Sequence, residues 1–112
     1  MKKIDISEVE IAETPHKVAV KKLLSYQDAT IVHIELKPGE ELKKHITPVD
    51  VCFYGLEGTG IVEIGDESQE IKKDQLIFSP AKIVHRLLNK SENNFRFLVI
   101  KTPTPKKETK IL

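Results

Sequence analysis

Apolar and polar residues alternate along most of this chain, with turn residues cutting the alternation into short pieces. In IVHIEL, residues 31–36, Val32, Ile34 and Leu36 share one face while Ile31, His33 and Glu35 share the other. Alternation of this kind marks a strand with one buried face. Val18 and Val20 alternate with lysines ahead of Leu23 and Leu24, and FRFLVI places Phe95, Phe97 and Val99 on one face. Pro38-Gly39, Gly58-Thr59-Gly60, Gly65-Asp66, Pro80 and the polar run Ser91–Asn94 punctuate the chain, because each fixes or frees φ in ways a strand interior cannot use. The pattern predicts strands near 17–24, 30–36, 51–57, 60–64, 69–73, 76–79, 83–89 and 95–101. No stretch carries a helical period. Many short strands between turns point to an all-β sandwich or barrel.

The ends are less regular. Ile4 and Ile6 alternate, then Val9 and Ile11 continue in the opposite phase. A slip of one residue predicts a bend or bulge near Ser7 and Glu8 in an N-terminal strand segment, residues 1–16. Residues 102–112 carry Pro103 and Pro105, which exclude a central strand. They are expected as an extended tail, solvated or laid on a neighbour.

Composition narrows the classes. At 112 residues the chain is expected to be a single domain, with a core at about 17–101. Lysine plus arginine number 18 against 17 acids, a net charge of +1, so no basic excess suggests a nucleic-acid partner. No apolar run approaches the ~20 residues of a membrane span, and MKKIDISEVE has no apolar core of a secretory signal. The one cysteine, Cys52, has no internal partner, which fits a reducing, cytoplasmic setting.

Two stretches carry the candidate chemistry. The first, PGEELKKHITPVDVCFYGLEGTG, runs from Pro38 to Gly60 and holds His45; the second, DQLIFSPAKIVHRLLN, runs from Asp74 to Asn89 and holds His85. They resemble the two motifs of the cupin superfamily. Gly39, His45 and Gly58 stand where the first motif has its opening glycine, first histidine and closing glycine. Pro80, His85 and Asn89 fit the second motif, with Asp74 and Lys82 in place of its glycines. Thr47 stands where the family has a second histidine, and Val51 where it has a glutamate. The resemblance implies a jelly-roll barrel, or double-stranded β-helix, with His45, Thr47, His85 and Asn89 lining its pocket. It implies further that Phe53, Phe78, Phe95 and Phe97 or their neighbours wall that pocket.

The resemblance also implies a divalent ion, zinc, nickel, iron, manganese or copper, at a degenerate site. His45 and His85 are the retained ligands. A bulge at Pro48 would shift the strand phase and turn Asp50 inward with Cys52, completing a two-histidine, one-carboxylate set. Without the bulge, Asp50 is a surface carboxylate and the histidines are polar groups of a binding pocket; this second arrangement is preferred. His33 is read as a surface or interface residue on the outer phase of its strand. His16, in the turn Thr14-Pro15-His16, is read as solvated, with folding over the barrel mouth the alternative.

The leading expectation is therefore a barrel that binds a small molecule, partly hydrophobic, with one or two acceptors or a carboxylate. Affinity for an anion is expected to rise as pH falls toward ~6, where histidine ordinarily titrates. The alternatives are a metal-dependent dioxygenase, decarboxylase or isomerase, and a structural barrel module. A homodimer is expected, joined through a face or through an exchanged terminal strand built from 4–11 or Ile111-Leu112.

Overall fold

A computed structural model describes residues 1–107 and 109–112 of the chain. Among the described residues ten strands form: β1 (Ala19–Tyr26), β2 (Ala29–Leu36), β3 (His45–Ile46), β4 (Asp50–Glu57), β5 (Thr59–Ile64), β6 (Glu67–Lys72), β7 (Leu76–Ser79), β8 (His85–Leu88), β9 (Phe95–Thr102) and β10 (Lys110–Ile111). They pair antiparallel in two five-stranded sheets, ordered β1-β2-β9-β4-β7 and β10-β3-β8-β5-β6. The alternation read from the sequence places each of the eight expected strands to within a few residues.

The sheets pack face to face. Leu36, Phe53, Val62, Ile71, Leu87, Phe95 and Phe97 lie between them with almost no exposure, each worth roughly 1.5–3 kcal/mol of burial. Phe95 and Phe97 stack with ring centroids 4.8 Å apart and fill one end of the interior. Further along β9 the same inward phase reaches Val99 and Lys101, which line a cavity at the other end.

Three expectations and one alternative need correction. The N-terminal segment is not a bulged strand: Ile6–Glu8 form one turn of 3-10 helix, and the Asp5 side chain accepts from the Ser7 N–H at its start. The short Asp-Ile-Ser run thus satisfies its backbone locally, which stops the alternation from becoming a ladder. The C-terminal segment is not a free tail: β10 pairs with β3, Ile111 opposite His45, and the Leu112 N–H donates to the Lys44 carbonyl. Both prolines precede this strand and so do not interrupt its pairing. The alternative that falls is the bulge at Pro48: Thr47, Val51, Phe53 and Gly55 are all buried, as the preferred unbulged arrangement requires. The register shifts fall instead in β1, between Lys22 and Leu24, and in β4, between Gly55 and Glu57. Phe78 does not wall a pocket; it is 54% exposed on the outer face of β7.

Candidate functional site

Pro48 keeps β3 to two residues, and those two residues sit at the centre of a pairing. His45 lies opposite His85 on one side and opposite Ile111 on the other. Both histidines face inward and are buried. Their rings meet edge to face with centroids 4.4 Å apart, and His16 adds a third ring 5.0 Å from His45. The row ends on Phe53, 5.2 Å from His85.

Each imidazole is oriented by a partner. His45 donates from Nδ1 to the Lys43 carbonyl, 2.7 Å away, which leaves its Nε2 as the ring's acceptor. His16 accepts the Lys43 N–H at Nδ1, 2.9 Å, which puts its own proton on Nε2. The turn from Thr14 to Lys17 holds that ring in place, with the Lys17 N–H donating to the Thr14 carbonyl. His85 shares one hydrogen bond with Thr47 Oγ1 at 3.2 Å and another with Ser79 Oγ at 2.8 Å. His85 is thus a satisfied interior group that braces His45 from behind.

The cavity encloses about 390 Å³. Val20, Val32, Ile34, Leu42, Phe53 and Val99 make its apolar wall, and Thr109 and Ile111 of the C-terminal segment close one side. Its polar side chains include His16, Lys22, His45 and Lys101, and no carboxylate lines it among the described residues. A second hollow of about 490 Å³, around Pro48, Lys82 and Lys106, is more open and holds no histidine. The first is the better candidate, since apolar walls with a few converging polar groups are the usual form of a ligand site.

Burial sets the charge of this cavity. It pushes His16 down to about 4, helped by the neighbouring His45, Lys43 and Lys101. It pushes His85 down to about 3, with His45 and Lys101 adding to the effect. His45 is lowered by burial too, against an opposing contribution from its hydrogen bond to Lys43. All three rings are neutral near pH 7. The positive charge at the cavity comes from lysines, and Lys101 itself is lowered, by burial first and by Lys22 second. The lowering of the three histidines works against the expected rise in anion affinity toward pH ~6.

The structure brings His45, His85 and Thr47 together, but of the expected pocket residues only His45 lines the cavity, with His85 and Thr47 behind it. Asp50 is exposed and accepts the Ala81 N–H at Oδ1, 2.9 Å, because the unbroken phase turns Val51 inward instead. Asn89 is buried but is used by the turn that follows β8: it donates to the Leu36 and Asn93 carbonyls and accepts from Ser91. No cluster of three or more histidine, cysteine or carboxylate side chains suited to a metal exists among the described residues. Two imidazoles, one of them hydrogen-bonded to hydroxyls at both nitrogens, fall short of the three protein ligands of an ordinary catalytic centre, so the donor set does not fit the divalent ion that the resemblance implied.

Two contributors were missed in the sequence, and His16, expected in solvent with the barrel mouth as the alternative, takes the alternative place, although a turn residue carries no phase signal. Lys101 and Ser79 did carry one: each is the next inward position after Val99 and Ile77 in strands whose alternation was already recognised. His33 lies on the outer phase as expected, yet it is buried, and it accepts from Arg96 Nε at 3.0 Å.

Comparison with known proteins agrees with this architecture. The family model described as a cupin domain matches residues 32–101, well over half of the chain. An uncharacterized protein from Methanocaldococcus jannaschii is 28% identical over 89 residues, covering 79% of this chain and 77% of that one. A crystal structure of a protein from Thermus thermophilus matches with a TM-score of 0.81 at 26% identity, over 94% of this chain and all of that one. The polyketide cyclase RemF from Streptomyces resistomycificus superposes with a TM-score of 0.84 over 100% of this chain and 85% of that one; at 20% identity the likeness is one of fold.

Proposed function

The chain belongs to the cupin family, and on that premise we propose that it binds a small molecule in the barrel cavity, an apolar body carrying one anionic end. The observation that carries this reading is the pairing of an apolar wall with Lys101 and Lys22 in a cavity lined by no carboxylate among the described residues. A half-buried ammonium is costly to keep without a counter-charge, and a ligand carboxylate would supply one. His45 Nε2 and the His16 Nε2–H add an acceptor and a donor for the ligand's remaining polar atoms. A purely structural barrel would gain nothing from a desolvated lysine. A metal-dependent reaction would need donors that Thr47 and Val51 do not provide.

Titration calorimetry with a series of aliphatic and aryl carboxylates, each beside its neutral amide, tests the proposal. The acids are expected to bind more tightly than their amides. Lys101→Met is expected to weaken the acids by about tenfold or more, as for losing a hydrogen bond to a charged group, and to leave the amides nearly unchanged. Because Lys101 is lowered from the usual lysine range, acid affinity should also decline with rising pH earlier than an exposed lysine would cause. Equal affinity for acids and amides would refute the anionic end.

A further inference from the structure

Lys101 stands on the inner face of β9, one inward step beyond Val99, and its neighbour across the ladder is Thr30 of β2. Lys22 stands on the inner phase of β1 opposite Val32 of the same β2. The two ammonium groups thus flank β2 from either side and share one cavity mouth. Lys22 is exposed at the rim, whereas Lys101 is partly buried against Val99 and the apolar wall. No ion pair engages either lysine among the described residues. This is the environment that makes an amine nucleophilic: a desolvated lysine beside a second cation.

We propose that Lys101 forms an imine with the carbonyl carbon of a small oxo acid, whose carboxylate pairs with Lys22 and whose alkyl or aryl body lies on the apolar wall. The inference rests on the ligand site proposed above and gives its ligand a chemical class. The neutral Lys101 amine attacks the carbonyl carbon; a C–N bond forms as the C=O π pair moves to oxygen. One proton passes from nitrogen to that oxygen, giving a carbinolamine. The C–O bond then breaks, the second nitrogen proton leaves with the hydroxyl, and the products are one C=N bond and one water. No oxidant or reductant is consumed. His45, whose Nδ1 is held by the Lys43 carbonyl and whose Nε2 has no hydrogen-bond partner among the described residues, offers a lone pair suited to carry one of those protons. The lowering of Lys101 by burial and by Lys22 raises the share of free amine at neutral pH.

The test is reductive trapping of the full chain with sodium cyanoborohydride in the presence of pyruvate, 2-oxobutyrate or phenylpyruvate, followed by peptide mapping of the adduct. The expected result is one reduced adduct on the Lys101 peptide, formed at least about tenfold faster than on exposed lysines. It should vanish in Lys101→Arg, which keeps the charge, and slow in Lys22→Met for the oxo acids but not for an uncharged ketone. Labelling of wild-type lysines in proportion to their exposure would overturn the inference without any variant. A carbonyl-free control, 3-phenylpropanoate, separates the two proposals. If it binds wild type and Lys101→Arg while no adduct forms, imine formation is wrong and the binding site stands. If it does not bind wild type, the binding site itself is wrong.

Discussion

His85 can be asked directly whether the interior is as dry as its geometry implies. Its ring is 2% exposed, is hydrogen-bonded to Thr47 and Ser79, and is pushed by burial from 6.5 down to about 3. The unfolded chain takes up a proton at the ordinary value while the folded chain does not. This stabilisation is therefore complete above about pH 6.5 and is lost as pH falls toward about 3. Between pH 7.5 and 4, the interval below 6.5 at about 1.36 kcal/mol per unit amounts to about 3 kcal/mol from His85 alone. His16, lowered to about 4 but only half-buried, adds about half as much once solvent screening is allowed for. With typical urea slopes of ~1–3 kcal/mol/M, His85 alone moves the unfolding midpoint by about 1–3 M. Carboxylates also lose their pairing in acid, so the informative quantity is a difference. His85→Gln keeps a donor and an acceptor and cannot titrate. Its loss of stability between pH 7.5 and 4 should be about 3 kcal/mol smaller than that of the wild type. Equal losses in the two proteins would show that His85 is solvated, and the reasoning about a dry interior behind His45 would fall with it.

Two further outcomes follow from the backbone and from the outer surface. Lys82 adopts φ 67°, a region that costs an ordinary side chain about 1–2 kcal/mol, so Lys82→Gly should leave urea stability unchanged or raise it by up to about 1 kcal/mol, while Lys82→Val should lower it by more than that. On the outer face of the first sheet, Ile31, Ile100, Cys52 and Phe78 stand side by side across four strands, next to a second row of His33, Leu98, Tyr54 and Leu76. We expect a two-fold dimer through this face, so light scattering at micromolar concentration should give twice the chain mass, falling to one chain in Phe78→Glu; a monomeric wild type would refute it.

Much of the fold was legible because period-two alternation is imposed by the pleat itself, which β9 keeps throughout and β4 keeps as far as Gly55. The motif glycines were legible even where they are missing: Asp74 and Lys82 occupy their places and keep positive φ, 65° and 67°. Asp50 lies on the surface, as the preferred arrangement without a bulge has it: the chain interrupts its strand at Pro48 and resumes in the same phase, with Thr47 and Val51 both inward, so only the alternative that made Asp50 a ligand falls. Asn89 was assigned to the pocket because it follows His85 in phase, but its amide is taken up by backbone groups of the polar turn after it. The charge of the site was legible too: FRFLVIK carries the inward phase of Phe95, Phe97 and Val99 on to Lys101. His16 could not be found this way, since 29 positions separate it from His45 and only the folded turn brings the rings within 5.0 Å.

The central claim is that a small acid enters the barrel rather than resting on its surface. Methyl-resolved NMR of the valine, leucine and isoleucine side chains during titration with 3-phenylpropanoate tests it most directly. The account predicts saturable shifts at Val20, Val32, Ile34 and Val99, which line the cavity, and none at Leu76, exposed on the outer face. Shifts confined to the outer face, or to residues around the second hollow such as Val49, would contradict it.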